Sequence, residues 1–551
     1  MKGLDFRLLD TSLGDIAPAT TFNATLNAHG VYDGLRYVVR LSPLVHETIN
    51  SLPNGIRFSS ETTFEQAQAF STYLHETIHW WQHAGSTAGF LLSLSHPAQT
   101  HANLTTLRQL LELAGPVKSI YQLALQQSGP STPGTVAGLA NIAINNQYDI
   151  EVHRFLVTNP ERAGEVVHSG MFESMAHAYR IAQMNALVIL ASTFDQDWTW
   201  LPDPRAWTEE YDRLRAAKVQ GFYHGSDVSL SPIGAQHIFE GQARFSQLQY
   251  LHFSSGGRFG FDEAVSQRMM SPLYTMAFEL FLAIAGLDQP ATLDHPTIGL
   301  FLLACDIAMN PGEGFPFPVR NAENYIRDND LGQRFCRIAE AVRTMCPGVK
   351  TMIENYSASE YAAASEQICQ TLGWHSPLAI SQAVAGLVRD GAAFAENLAL
   401  HDKGKAAVLN QPVQVMFGQF ASYARDRLRY PEILCWPGPS MAGKHLKDAS
   451  SAVFSRQSPL FVDRVDTQMI VPVVRTGLIE TDVMETFQNF YNGQALYDLT
   501  RQWIKVPGSF AYDYRWLQPE GSVEQVKAWA DGIFIRAFGV SPDAFQILPS
   551  S

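Results

Sequence analysis

The sequence is poor in cysteine and has no run of basic residues. Its 551 residues contain five cysteines, which are scattered and include no CxxC pair. Such a distribution does not indicate a disulfide framework and fits a reducing cytoplasm. Lysine and arginine number 39 against 53 aspartate and glutamate residues, for a net charge of −14. Nucleic acid is therefore not expected as a partner, because phosphate neutralisation needs clustered lysine and arginine.

Long apolar runs are also missing. The two best candidates are Ile181–Phe194, which is too short to cross a bilayer, and Pro272–Leu287, which Glu279 interrupts. The N-terminal residues carry Asp5 and Asp10 and lack the apolar core of a signal peptide. We therefore expect a soluble, cytoplasmic protein with no membrane partner.

Apolar residues are abundant, at 46% against 17% charged, so the chain can bury a large interior. At about 100–200 residues per domain, two or three domains are expected. We predict a mainly α (α+β) fold in three parts. These are a strand-containing segment at 1–60, a helical domain at 61–400 and an accessory domain of unknown role at 401–551.

The residue pattern, and the secondary structure it predicts, changes along the chain. Gly34–Ser42 alternates and is rich in β-branched residues, which predicts a strand, and Asn54–Gly55 is a candidate turn. From residue 62 to about 400, apolar residues recur at helical spacing. Breaks rich in glycine and proline are expected at Ser128–Gly134, Leu201–Pro204 and Asn310–Pro318. Valine-rich runs at 412–420 and 459–479 are candidate strands.

Residues 62–86 are predicted to form a helix. Thr62 and Glu65 fit the pattern of a capping box, and Gly85 is placed to end the helix. An apolar stripe recurs at helical spacing and predicts a buried face. Its members are Ala67, Phe70, Leu74, Ile78 and Trp81.

This helix contains the HExxH motif His75-Glu76-Thr77-Ile78-His79. Residues i and i+4 share a helical face, so both imidazoles can reach one metal ion, and Glu76 can act as general base on a metal-bound water. With 17 histidines in 551 residues, chance predicts roughly 0.02–0.03 such motifs in a chain of this composition. The alternative is a helix with two incidental histidines.

A zinc site needs a third protein ligand. His83 does not qualify, because it lies about 12 Å along the helix axis from His75. The metzincin pattern fails as well, since Gln82 stands where that pattern requires glycine and Gly85 where it requires histidine. The third ligand must therefore come from a distant part of the sequence.

Two glutamates are candidates for this third position, Glu173 and Glu240. Ser231-Pro232 resembles the start of a helix that would carry Glu240. Each glutamate also has an ordinary explanation as one half of a helical pair, Glu240 with Arg244 and Glu173 with His177.

A resemblance to known proteins bears on this choice. HETIH on a helix, followed downstream by Glu-Gly-Gln-Ala at 240–243, resembles the gluzincin metallopeptidases of the thermolysin type. More narrowly, HETIHWWQ, IFEGQA and ACDIAMNPG (Ala304–Gly312) resemble a group of uncharacterised bacterial HExxHxxQ proteins. The resemblance covers three short stretches between residues 70 and 312. The gap of about 160 residues before the glutamate is longer than is common in gluzincins.

The resemblance implies a zincin-like helical core and a zinc-dependent peptidase. Zn²⁺ would be held by His75, His79 and Glu240, and water activated by zinc would attack an amide carbonyl with Glu76 as general base. The substrate would be a peptide or a protein.

Further groups could assist the reaction. His237, Tyr73 and Tyr274 are candidates for stabilising the developing oxyanion, although ordinary packing is the favoured explanation of each of them. Asp306 is a candidate for orienting a ligand imidazole.

Two rival functions fit the same sequence. In a ferritin-like di-iron or di-manganese oxidase or oxygenase, ExxH motifs and further glutamates would bind two metal ions in a helical bundle. The ligands would be Glu76, His79, Glu165, His168, Glu173 and Glu240. In the other rival, the protein is a non-catalytic helical interaction protein.

Overall fold

The computed structural model describes residues 30–51, 62–127, 132–464, 469–514, 517 and 521–549. Within them the protein is mainly helical, as predicted, with a small proportion of strand. The predicted turn at Asn54–Gly55 and part of the predicted break at Ser128–Gly134 lie outside the described residues. No helix of the described residues combines the length and apolar character needed to span a bilayer.

Helices occupy most of the chain up to residue 309. In chain order they are α1 (Pro43–Asn50), α2 (Phe64–Gly85), α3 (Thr87–Ala114), α4 (Ile120–Gln126), α5 (Val136–Thr158), α6 (Gly164–Val167), α7 (Met175–Phe194), α8 (Thr208–Ala216), α9 (Ala235–Ser254), α10 (Phe261–Ser266), α11 (Pro272–Ala285) and α12 (Pro296–Met309). The predicted breaks at Leu201–Pro204 and Asn310–Pro318 are confirmed, because α7 and α12 end before them.

The helical pattern continues to the C-terminal region. The helices there are α13 (Tyr325–Asn329), α14 (Leu331–Thr344), α15 (Ala358–Leu372), α16 (Pro377–Asp390), α17 (Ala392–His401), α18 (Gln411–Arg427), α19 (Pro431–Cys435), α20 (Pro437–Met441), α21 (Ser450–Arg456), α22 (Glu480–Lys505) and α23 (Val523–Phe538).

The strand predicted at 412–420 is wrong, because this run lies in α18. Pro412 sits in the first turn, where its missing N–H costs nothing. Val413, Met416 and Phe420 then recur at helical spacing and are buried. Tertiary burial of this face overrides the local preference of the valines for strand.

The strands are short: β1 (Gly30–Asp33), β2 (Val38–Leu41), β3 (Val117–Lys118), β4 (Phe461–Asp463), β5 (Ile470–Pro472) and β6 (Gln546–Ile547). Strands β1, β2, β4 and β5 form one sheet in that order, and β3 pairs with β6. The strand predictions at Gly34–Ser42 and 459–479 are thus confirmed over part of their lengths. In the sheet, β2 runs parallel to β4 through the pair Val39 and Val462. Strands from the first and last predicted segments therefore share one sheet.

Helix α2 confirms the predicted buried stripe, because each of its five members is at most 3% exposed.

 The start of helix α2 differs from the predicted start by a single residue. Thr63 Oγ1 accepts a hydrogen bond from Gln66 N at 3.2 Å, and Gln66 Oε1 accepts one from Thr63 N at 3.0 Å. This reciprocal pair is the capping box, in place of the predicted pair Thr62 and Glu65. The helix ends at Gly85, as expected.

Helix α9 packs against α2 and against α11, α12 and α20. It begins at Ala235, later than the predicted start at Ser231-Pro232. The segment before it lies directly against α14, where a Cβ added to Gly332 would come within 2.0 Å of the Ile233 carbonyl oxygen. Strand β1 contacts α2 on another side. The HExxH helix is therefore enclosed by a helix on one side and by a sheet edge on another.

Candidate metal centre

The packing of α2 against α9 brings His75, His79 and Glu240 together. His75 Nε2 and His79 Nε2 lie 3.1 Å apart, and Glu240 Oε2 lies 3.5 Å from the first and 3.3 Å from the second. The His75 and His79 side chains are 8% and 12% exposed, and that of Glu240 is 23% exposed. The carboxylate is thus the ligand nearest to solvent.

These separations fit a single zinc ion. Tetrahedral ligands at about 2.0–2.1 Å from zinc lie about 3.3 Å from one another. The donor set also fits, since two imidazoles and one carboxylate are a common set at catalytic zinc sites. In the described part of the chain, no other group of three histidine, cysteine or acidic side chains has this potential.

Gln82 orients one of the candidate ligands, a role that the sequence pattern alone does not predict. Its Oε1 lies 2.8 Å from His79 Nδ1, while its Nε2 donates to the Phe239 carbonyl oxygen and to Gln242 Oε1, both at 2.8 Å. Because the Gln82 amide donates through Nε2, its oxygen is left to accept from His79 Nδ1–H. When His79 is in its neutral form, this tautomer leaves the lone pair of Nε2 available to a metal. The sequence signal for this orienting role is the position of Gln82, three residues after His79.

Glu76 lies beside this group without belonging to it. Its side chain runs against β1, where a Cβ added to Gly30 would lie 2.6 Å from Glu76 Cγ. Burial raises the pKa of Glu76 to about 7, His79 and the backbone N–H of Tyr32 oppose this rise, and Glu240 adds to it. A carboxylate with this pKa can exchange a proton near neutral pH.

The three candidate ligands differ in their proton affinity. Burial lowers the pKa of His75 to about 3, so this imidazole is neutral. Burial would also lower the pKa of His79, but Glu240 outweighs it and raises that pKa to about 9. Burial would raise the pKa of Glu240, but His79 and His75 hold it well below its usual range. A proton on His79 therefore neutralises Glu240 in the metal-free site.

His83 lies outside the group, as its position along the helix predicts. Its ring packs against Tyr32 and Phe239, at centroid distances of 5.0 and 5.3 Å. Burial lowers the pKa of His83 to about 3. It is a neutral packing residue.

Three of the six residues in the di-metal alternative, Glu165, His168 and Glu173, lie outside the group at the candidate metal centre. Glu173 forms an ion pair with Arg215 at 2.7 Å, and Glu165 forms one with Arg162, also at 2.7 Å. His168 caps the C-terminal end of the four-residue helix α6. The predicted partner of Glu173, His177, instead lies 3.1 Å from Asp149.

The three candidates for oxyanion stabilisation lie in different surroundings. Tyr274 packs edge-on against His75, with 5.9 Å between ring centroids. Tyr73 instead packs against Phe70 and Phe454, on another face of α2. His237 is buried, and its Nδ1 has no hydrogen-bond partner among the described residues.

Asp306 does not orient a ligand imidazole, so that prediction is wrong. Its Oδ1 accepts from Arg427 Nη2 at 2.9 Å, and its Oδ2 accepts from the Tyr361 hydroxyl at 2.6 Å. Asn310 Nδ2 also donates to Oδ1, at 3.3 Å. The carboxylate is occupied by a separate buried cluster.

Comparison with known protein families, with curated proteins and with solved structures found no match for this chain. The resemblance to gluzincins therefore rests on the motif residues. In the structure, Glu240 lies beside His75 and His79 as the third candidate ligand, and Glu173 does not.

Proposed function

We propose that the protein is a zinc-dependent metallohydrolase of the peptidase class, with zinc held by His75, His79 and Glu240. The observation that carries the proposal is the separation of the three ligand atoms, at 3.1, 3.3 and 3.5 Å. Zinc with three protein ligands keeps one position for water and lowers the pKa of that water towards about 7.

Glu76 acts as the general base. Its carboxylate accepts a proton from the attacking water and returns this proton to the leaving amine. Burial supports the role, because the pKa of about 7 makes Glu76 a stronger base than an exposed glutamate. Gly30 allows the carboxylate to lie close to β1.

A peptide or protein is the proposed substrate. Within the described residues, β1 is the outermost strand of its sheet, and it lies next to Glu76. An extended peptide can pair with the edge of a sheet through backbone hydrogen bonds. We propose that α2, α9 and β1 together form a zincin-like core.

A cytoplasmic location is part of the proposal. All five cysteines are free thiols, and four of them are buried. Unpaired cysteines are usual in a reducing compartment.

Metal content tests the proposal directly. Plasma mass spectrometry would be applied to the wild type, Glu76→Gln, Glu240→Ala and Glu173→Ala. Glu173→Ala is the matched control, because this glutamate pairs with Arg215 away from the centre. We expect one zinc per chain in all except Glu240→Ala, together with peptide cleavage by the wild type.

Other outcomes would support the rivals. Two iron or manganese ions per chain, lost when Glu76 is replaced, would contradict the zinc site and favour the di-metal oxidase. A well-folded protein without metal would favour the non-catalytic interaction protein.

A further inference from the structure

Arg244 is a buried cation next to the candidate metal centre. It lies one turn after Glu240 on α9 and is 3% exposed. Its Nη1 donates to Gln247 Oε1 at 2.6 Å, whereas its Nε is buried without a hydrogen-bond partner. Among the described residues, no carboxylate oxygen is recorded within ion-pair distance of its guanidinium, so the predicted pair with Glu240 does not form.

The guanidinium is held in place from two sides. It lies over the Tyr274 ring, with Cζ 3.8 Å from the ring centroid, and Tyr274 in turn packs against His75. Gln247 is itself fixed, because its Nε2 donates to Ser71 Oγ at 3.0 Å. A side chain that is held in this way loses little further freedom when it binds a ligand.

The charge of Arg244 reaches the reacting groups. It contributes to lowering the pKa of both His75 and Glu76. Burying a cation without a carboxylate partner is costly, and the cost is offset when a ligand supplies the missing anion. Arginine is suited to this because its planar donors match a carboxylate.

We propose that Arg244 binds a carboxylate of the peptide substrate beside the scissile bond. This inference rests on the proposed function and adds a substrate class to it. The carboxylate is either the C-terminus of the peptide or the side chain of an aspartate or glutamate. The reaction itself stays a hydrolysis, in which water adds across the amide C–N bond to give an acid and an amine.

The position of Arg244 favours substrate binding over stabilisation of the oxyanion. Nη1 of Arg244 donates to Gln247, which lies three residues further along α9 than Arg244 and seven residues beyond Glu240. Arg244 Cζ is 3.8 Å from the Tyr274 ring centroid, which is 5.9 Å from the His75 ring centroid, so the guanidinium lies within about 10 Å of the His75 ring. Consecutive Cα atoms of a peptide are about 3.8 Å apart, so a carboxylate one to three residues from the scissile bond can span this distance.

The test uses random-sequence acetylated pentapeptides as probes. One set carries a free C-terminal carboxylate, a second is amidated, and each is made with and without aspartate and glutamate. Zinc-loaded Glu76→Gln protein retains peptides without cleaving them, and retention is measured by mass spectrometry. Cleavage by protein with Glu76 intact is followed in parallel, with kcat and KM separated.

Three substitutions are compared in both backgrounds. Arg244→Met removes the charge, and Arg244→Lys keeps the charge but loses the planar donors. Arg337→Met is the matched control, because Arg337 also has a buried Nε without a partner and lies near a ring, that of Trp374, away from the metal ligands. Zinc content and thermal melting are recorded for every variant.

We expect Arg244→Met to weaken retention of carboxylate-bearing peptides by about 30-fold or more and to raise their KM. Arg244→Lys should give an intermediate loss of retention. If Arg244→Met does not fold, the loss in Arg244→Lys tests the role of Arg244 instead. Peptides without any carboxylate should be unaffected, as should all peptides with Arg337→Met. The set that responds, free acid or acidic side chain, identifies the source of the carboxylate.

An equal loss for all peptides, or no loss, would overturn the role of Arg244 and leave the proposed function intact. If the zinc-loaded protein neither retains nor cleaves any peptide, the proposed function fails and this inference fails with it.

Discussion

Two buried polar clusters lie close to α2, and they differ in how completely their charges are paired. We call Asp306, Asn310, Tyr361 and Arg427 the aspartate–arginine cluster. Arg427 donates to Asp306 Oδ1 and to Asn310 Oδ1, at 2.9 and 2.8 Å, while Tyr361 donates to the other carboxylate oxygen. Each oxygen of the carboxylate has a partner.

In the candidate metal centre, by contrast, several buried polar groups are unpaired. The two Nε2 atoms of its histidines face each other, while Nδ1 of His75 and Nε of Arg244 are buried without hydrogen-bond partners in the described structure. Buried polar groups that are fully paired stabilise one conformation, whereas unpaired ones cost free energy. Unpaired buried groups therefore distinguish the candidate binding site from the fully paired aspartate–arginine cluster.

The largest effect should come from removing the proposed base. Glu76→Gln should lower peptide hydrolysis by about 10²–10⁴-fold, because the amide cannot accept the proton. Zinc should be retained, since Glu76 is outside the ligand group. Cleavage assays by mass spectrometry would check this with Glu173→Gln as control. Undiminished cleavage in Glu76→Gln would remove Glu76 from the mechanism.

Breaking the aspartate–arginine cluster should affect stability instead. Asp306→Ala leaves Arg427 buried and charged, at a cost of about 3–5 kcal/mol. In zinc-free protein, Glu240→Ala should cost less, because His79 can lose its proton and arginine cannot. Urea unfolding in the presence of a chelator would compare the two. Equal losses of unfolding free energy would show that the two clusters do not differ in this respect.

Zinc affinity should depend on pH. Since Glu240 raises the pKa of His79 to about 9, zinc must displace a proton from His79 at any lower pH. The apparent affinity should therefore fall about tenfold for each unit from pH 8 to pH 6. Competition with a chelating dye would measure it. An affinity that does not change over this range would contradict the pairing of His79 with Glu240.

The smallest effect should come from the residue that orients His79. Gln82→Leu should weaken zinc binding by about 10–100-fold, because the His79 ring loses its partner. Gln82→Glu keeps an acceptor oxygen and should lose less. If the two variants bind zinc equally well, the hydrogen bond to Nδ1 has no role in binding.

The sequence predicts those parts of the site that depend on local geometry. His75, Glu76 and His79 lie on one helix, so their spacing alone predicts their arrangement. Glu240 needed the resemblance, since the local sequence makes Glu173 a candidate as well. The contacts of Gln82 with Gln242, and of Asp306 with Arg427, join residues that are distant in sequence. No periodicity predicts such pairs.

In the fold, too, local sequence predicts some features, whereas contacts between distant residues set others. The mainly helical character and the strands at β2 and β4 follow from local patterns. The helix at α18 was mistaken for a strand, because the preference of valine for strands is weaker than burial of a helical face. The start of α9 was misplaced because packing of Ile233 against Gly332 sets it.

Diffraction from zinc-loaded crystals, with anomalous data at the zinc edge, tests the central claim most directly. The account predicts one anomalous peak at about 2.0–2.1 Å from His75 Nε2, His79 Nε2 and one oxygen of Glu240. A peak elsewhere, or a pair of peaks with Glu76 as a ligand, would contradict it.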